Sequence, residues 1–239
     1  MIFHQTWVKD LHWKRQQLWR DNYPWHWMVM RKIVFPPIEN ATEDGLVAVG
    51  GDLAVDTLET AYYQGIFPWP ISPEFPLAWF SPNPRGILHF EDLHVPKSLQ
   101  KFMKKSPYEI KFNTDFLEII KRCASVTRMG QPNTWITPEI IDGYYNLFLN
   151  QKAWCVGAWK DQELVGGVYG VRFGRFRSGE SMFTLEDNAG KVCLLKAIDI
   201  FKTEQVTWLD TQMVTPVVKS FGGREVPRNE FMELLKKVL

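Results

Sequence analysis

Apolar residues recur along this chain with two periods, and the switches between them order its elements. Leu58, Ala61 and Tyr62 fall at i, i+3 and i+4 between Asp56 and Gln64, which predicts a short helix stopped by Gly65. Six prolines between Gly65 and Pro84 predict a rigid, mostly irregular segment, with a domain boundary near its end. Beyond it, Tyr108, Ile110 and Phe112 alternate as a strand, and Phe116, Ile119, Ile120 and Cys123 mark a helix. Pro138, at a first helical turn, opens another helix through Ile140, Ile141, Tyr144 and Phe148. Residues 153–159 and 164–173 read as strands joined by a hairpin turn, and 176–183 as a third strand. Asn188 is expected to cap a helix carrying Leu194, Ile198 and Phe201 at i, i+4 and i+7, and 206–213 is a further strand. This order predicts an α+β fold, a mixed sheet with flanking helices. The expected division is 1–85, a small N-terminal domain, and 86–239, a catalytic domain.

The chain has 239 residues, 45% of them hydrophobic, which excludes wholesale disorder and is ample for a core without staples. Its first 35 residues carry Trp7, Trp13, Trp19, Trp25 and Trp27 and read as an amphipathic helix ending before Pro24. Packing on the body and lying on a membrane surface are both open for it. The longest run without Asp, Glu, Lys or Arg is 14 residues and holds three prolines, so no membrane span is expected. Lys9, Asp10, Lys14 and Arg15 interrupt any signal-like apolar run, so a cytoplasmic location is expected. Cys123, Cys155 and Cys193 are odd in number and widely spaced, which fits a reducing compartment. There is no CxxC and no HExxH, so no metal is expected.

Charge is uneven. Residues 36–96 hold nine acids against Arg85 alone, a net of −8, and 97–128 carry a net of +5. Lys97, Lys101, Lys104 and Lys105 fall at i, i+4, i+7 and i+8, with Leu99, Phe102 and Met103 opposite. A solvated lysine face and a face that tracks a phosphate backbone both fit that spacing.

Several chemistries lack their motifs. Gly179-Glu180-Ser181-Met182-Phe183 has Phe183 where a nucleophile elbow needs its second glycine. Neither GxxxxGK[ST] nor GxGxxG occurs. The strand-helix order of the second part suits an acetyltransferase-like sheet, but the pyrophosphate loop for coenzyme A is missing. Two polar pairs interrupt apolar strands instead. Alternation puts Asp210 and Gln212 on one face, and Glu180 and Met182 on one face. A buried carboxylate needs partners or a cavity, so each pair is either a structural hydrogen bond or part of a site.

The combined motifs resemble those of the leucyl/phenylalanyl-tRNA–protein transferase family. They are Gly50-Gly51-Asp52-Leu53, Gly65-Ile66-Phe67-Pro68-Trp69, Trp79-Phe80-Ser81-Pro82-Asn83-Pro84-Arg85 and Thr134-Trp135-Ile136-Thr137. Leu164-Val165-Gly166-Gly167-Val168-Tyr169-Gly170, Gly179 to Phe183 and the Asp210-x-Gln212 pair continue the series in order. The resemblance runs from about Phe35 to Phe231 and leaves out the Trp-rich first 34 residues. It implies a small N-terminal domain, an acetyltransferase-like (GNAT-like) catalytic core and no cofactor, since the acyl donor is an ester on tRNA. The implied reaction moves Leu, Phe or Met from aminoacyl-tRNA to the N-terminal Arg or Lys of a protein, marking it for degradation. The enzyme is expected to be a monomer without a membrane partner.

The resemblance also implies roles. Asp210, Gln212 and Glu180 fall on catalytic positions, Gln212 at the reacting amine and carbonyl with Asp210 orienting it. Trp69 and Trp135 fall on aromatics around the aminoacyl group and terminal adenosine, and Tyr144 near the site. Val168, Met182, Leu194 and Leu209 fall on the donor side-chain pocket. The family must grip tRNA, and Lys97, Lys101, Lys104 and Lys105 form the densest basic cluster available. The chain departs from the pattern at Cys155-Val156-Gly157, Arg177, Ala197 and Thr215, which bear on specificity. Two alternatives remain: a tRNA-dependent transferase with another acceptor, such as a cell-wall peptide, and a non-catalytic aromatic-rich RNA-binding module.

Overall fold

The computed structural model describes residues 34–72, 74–126 and 134–239. The Trp-rich helix expected at the N-terminus lies outside the described residues. Strands β1 (Leu46–Val49), β2 (Phe67–Pro68) and β3 (Ala78–Phe80) form a small antiparallel sheet in the order β1-β3-β2, with helix α1 (Val55–Tyr63) between the first two strands. The proline-rich segment is therefore less irregular than expected, because Phe67, Pro68 and residues 78–80 extend and pair.

The largest sheet follows the order β5-β6-β7-β8, from β5 (Glu109–Phe112), β6 (Ala153–Lys160), β7 (Glu163–Phe173) and β8 (Phe176–Arg177), with β9 (Ser181–Thr184) also on β7. Strands β6 and β7 are buried along nearly their whole length because helices cover both faces. Helices α3 (Phe116–Ser125) and α4 (Pro138–Leu149) contribute to a hydrophobic cluster that includes Leu58, Phe116, Tyr169 and Phe231. Helix α5 (Ala189–Thr203) contributes to a second, with Trp154, Val168, Ile198 and Leu209. Thr137 caps α4, accepting from Ile140 N at 3.3 Å, with Pro138 in the first turn. Asn188 stands at the start of α5 in the left-handed region (φ 61°), and its side chain makes no cap hydrogen bond, contrary to expectation.

A third sheet, in the order β10-β4-β11, joins β4 (Arg85–His89), β10 (Trp208–Gln212) and β11 (Arg224–Val226). Helices α2 (Lys97–Met103), α6 (Pro216–Ser220) and α7 (Arg228–Lys236) complete the described chain. The α+β class expected from the pattern is the class observed. One strand is not. The expected strand over 176–183 is broken into β8 and β9 by Ser178, Gly179 and Glu180. Gly170 lies against this break, where a Cβ would sit 1.7 Å from the Ser178 carbonyl oxygen. Ser178 N and Glu180 N still donate to β7, to Val171 O at 3.1 Å and Tyr169 O at 2.9 Å, while Gly179 N between them donates to Asp210 O at 2.8 Å. Ser178 and Asp210 form a parallel bridge there, so the break is where β10 meets the largest sheet.

Candidate active site

Asp210, on β10, is wholly buried, with its carboxylate held by Arg85 at the start of β4. Arg85 Nε donates to Oδ1 at 2.9 Å and Nη2 to Oδ2 at 2.7 Å, a two-point fork. Its third nitrogen, Nη1, donates to Gly65 O at 3.0 Å. The guanidinium lies between two rings, 4.8 Å from the centroid of Phe67 and 4.4 Å from that of Phe231. A carboxylate without water is tolerable in this place because its charge is paired and both its oxygens accept hydrogen bonds.

The pairing of β10 with β4 slips between Asp210 and Gln212. Gly86, opposite Gln212, admits this bulge: a Cβ on Gly86 would sit 2.6 Å from the Met213 carbonyl carbon. Gln212 takes φ 55°, a left-handed conformation unusual for a residue with a side chain. Its N–H donates back to Asp210 Oδ1 at 2.9 Å, and its side-chain Nε2 donates to Glu180 Oε1 at 3.0 Å. Asp210 and Gln212 thus serve one cluster as expected, but through a bulge rather than through plain alternation.

Glu180 lies in the break before β9, so strand alternation with Met182 does not govern it. Its Oε1 also accepts from Ser178 Oγ at 2.5 Å, and its Oε2 from Tyr144 OH at 3.4 Å. The Tyr144 and Tyr62 hydroxyls are 2.5 Å apart. Burial pushes the Glu180 carboxyl up to about 7, and the Asp210 charge pushes the same way. Hydrogen bonds from Ser178 and Tyr62 and the Arg85 charge oppose it. Burial, followed by the charge of Glu180, raises the Tyr62 and Tyr144 hydroxyls well above the ordinary tyrosine value, so both stay protonated and can donate. A carboxyl that changes charge near neutral pH, set among fixed donors, can accept and return a proton. Burial pushes Cys155 and Cys193 up to about 12, which leaves neither as a thiolate nucleophile at neutral pH.

Asp210, Gln212, Glu180 and Tyr144 are therefore joined directly by hydrogen bonds, with Arg85 attached at Asp210, Ser178 at Glu180 and Tyr62 at Tyr144. The other expected residues separate. Trp69 and Trp135 are half-buried against the first hydrophobic cluster, Trp69 with its ring 6.1 Å from Phe67 and 6.2 Å from Phe80. Val168, Leu194 and Leu209 are buried in the second cluster, with Met182 half-buried against it and paired across the sheet with Val168. Lys97, Lys101, Lys104 and Lys105 are all exposed. They do not share one regular helix face, because α2 ends at Met103 and Lys104 and Lys105 follow in a turn. Arg85, Ser178 and Tyr62 were not assigned to the site from sequence. Arg85 left two signals, as the single base in the acidic stretch and as the last residue of the motif from Trp79.

Residues 87–236 match the family model described as leucyl/phenylalanyl-tRNA protein transferase, and residues 51–83 match that of its N-terminal domain. The chain belongs to this family. Among curated relatives, the leucyl/phenylalanyl-tRNA–protein transferase of Flavobacterium johnsoniae is 39% identical over 208 residues, covering 87% of this chain and 98% of that one. The corresponding protein of Pectobacterium carotovorum subsp. carotovorum is 43% identical over 209 residues, covering 87% and 88%. As a leucyl/phenylalanyl-tRNA–protein transferase family member the protein is an enzyme, an aminoacyltransferase. Similarity to solved structures is partial. A GCN5-related N-acetyltransferase from Kribbella flavida aligns at TM-score 0.34 and 13% identity, covering 70% of this chain and 58% of that one. A ribosomal-protein-alanine N-acetyltransferase from Brucella melitensis aligns at 0.30 and 19%, covering 47% and 86%. The α+β class follows from the chain's own sheets and helices, not from these alignments. Among the described residues, no helix is long and apolar enough to cross a membrane.

Proposed function

We propose that the enzyme transfers Leu, Phe or Met from aminoacyl-tRNA to the N-terminal Arg or Lys of acceptor proteins, creating a degradation signal. The observation that carries the reading is the hydrogen-bonded set Asp210–Gln212–Glu180 where β10 meets the break between β8 and β9, inside the span matched by the family model. In this mechanism the acceptor α-amine attacks the aminoacyl carbonyl. A C–N bond forms, the ester C–O bond breaks, and the amine proton goes to the leaving 3′-oxygen of the tRNA. Gln212 positions the amine and carbonyl, Asp210 holds Gln212, and Glu180 takes the proton and passes it on. The ester is already activated, and an α-amine of pKa about 7.7–8.0 is partly unprotonated near neutral pH. Positioning and charge stabilisation therefore carry the rate, and no cofactor takes part.

Val168, Met182, Leu194 and Leu209 form the donor side-chain pocket, with Trp69, Trp135 and Tyr144 against the aminoacyl group and terminal adenosine. An apolar pocket separates homologous side chains by only about 1–3 kcal/mol per methylene, so several large apolar donors are accepted. Lys97, Lys101, Lys104 and Lys105 hold the tRNA backbone, and the acidic residues of 36–96 favour a cationic acceptor terminus. The enzyme works as a cytoplasmic monomer, with residues 1–85 and 86–239 as its two domains. The test offers charged tRNAs of every type with peptides that differ only at residue one. Leu, Phe and Met transfer to Arg- and Lys-initiated peptides is expected. Transfer of other amino acids, or to other termini, would overturn it.

A further inference from the structure

We infer that Arg85 is a positioning residue of the transfer reaction, setting Gln212 through the carboxylate of Asp210. The inference rests on the transfer reading above. A relay of hydrogen bonds carries it. Arg85 occupies both oxygens of Asp210. Oδ1, which receives Arg85 Nε, also receives the N–H of Gln212 at 2.9 Å. Gln212 stands at φ 55°, so something outside its own conformational preference must hold it there. Its side chain then reaches Glu180 Oε1. The order of dependence runs from guanidinium to carboxylate to strained backbone to side-chain amide. Asp210, with every oxygen engaged and no exposure, meets the reactants through Gln212 rather than directly.

The placement of Arg85 is itself over-determined. Phe67 and Phe231 confine its plane from two sides, and Gly65 O fixes Nη1. Gly65 opens the segment that ends in Trp69, so one guanidinium ties Asp210 to the segment carrying a proposed donor-binding aromatic. A buried pair can be replaced by neutral groups at little cost to folding, and the fork is therefore not demanded by stability alone. Lysine has a point charge and no fork, so it cannot reproduce the Nε and Nη2 hydrogen bonds together.

Arg85→Lys tests this in transfer assays with charged tRNA and peptide across pH 5.5–8.5. Misplacing Gln212 by an ångström is expected to lower kcat about 10²-fold, with both KM values within about threefold of the parent. The pH profile separates positioning from loss of structure, because a loosened site would admit water and bring Glu180 down toward the ordinary carboxylate range. Glu180 is faced by Tyr144 from α4, Tyr62 from α1, Asp210 from β10 and Arg85 from β4. Arg85 lowers the Glu180 pKa by its charge and Asp210 raises it by its own; lysine keeps the positive charge, so Arg85→Lys leaves the acidic limb close to the parent's while Asp210→Asn moves it to lower pH. Should Arg85→Lys not fold, the paired variant Arg85→Gln with Asp210→Asn leaves no unpaired buried charge. It is expected to fold and to stay as slow as Asp210→Asn. Parental kcat in Arg85→Lys or in the paired variant, or an acidic limb that drops toward the ordinary carboxylate range in Arg85→Lys, would overturn the proposal. A parent that transfers nothing from any charged tRNA would instead overturn the functional reading, and this inference with it.

Discussion

Replacing Glu180 with Gln converts the one carboxyl of the cluster that titrates near neutral pH into a neutral group of the same shape. In the folded protein this carboxyl titrates at about 7, against an ordinary 4.5. The folded state thus binds the proton more tightly than the unfolded chain does. The stability this gives is fully present below about 4.5 and is lost as pH rises through about 7. The difference of about 2.5 units, at 1.36 kcal/mol each, amounts to about 3 kcal/mol between pH 4 and pH 8.5. Allowing for water at a half-buried residue brings it to about 2 kcal/mol. Urea unfolding of parent and Glu180→Gln at both pH values measures it. The new amide changes the hydrogen bonds with Ser178 and Gln212 by an amount that does not depend on pH. The expected result is a stability difference that shifts by about 2 kcal/mol in favour of the variant on going from pH 4 to pH 8.5. Every other group titrates alike in both proteins and cancels. An identical difference at the two pH values would refute the claim that burial holds the Glu180 proton.

Asp210→Asn and Gln212→Ala should each lower turnover by orders of magnitude. Asp210→Asn should also cost about 3–5 kcal/mol in urea unfolding, because Arg85 is left buried without its charge partner; equal stabilities in the two variants would contradict the fork. Met182→Ala or Trp69→Ala should weaken use of Leu and Phe together, because each donor side chain then buries less apolar surface. An equal effect on a donor lacking a side chain would remove them from the pocket. Changing Lys101, Lys104 and Lys105 to Ala should raise the KM for charged tRNA. It should also lower the slope of log K against log salt by about 0.7–0.9 for each phosphate no longer neutralised. A minimal aminoacyl-adenosine donor should be unaffected, and an unchanged salt slope would leave these lysines as a solvated surface.

Short-range patterning made much of the fold legible. The hairpin of β6 and β7 announced itself through two apolar runs around Lys160 to Glu163, and α4 through Pro138 and its apolar face. What stayed hidden depends on neighbours far along the chain. The break at Ser178 to Glu180 needs Gly170 to admit a carbonyl from another strand, and a glycine alone does not say what approaches it. Arg85 and Asp210 meet across 125 positions, and no local period encodes such a pair. Tyr62 reads from sequence as a helix face turned to the core, which it is; only its hydroxyl, 2.5 Å from that of Tyr144, ties it to Glu180. The left-handed turn at Gln212 is likewise the product of Gly86 opposite it and the Asp210 carboxylate beneath it.

Phe231, in the last helix, closes one side of the slot that holds Arg85. During synthesis, Arg85 and the Gly65–Trp69 segment leave the ribosome well before Asp210, and α7 emerges later still. A nascent chain thus carries Tyr62, Tyr144 and Glu180 for some seconds, at about 5–20 residues per second, without the element that completes the guanidinium slot. Removal of the segment from Arg228 onward should take one ring from the Arg85 slot and lower turnover even where the rest of the protein is made in full.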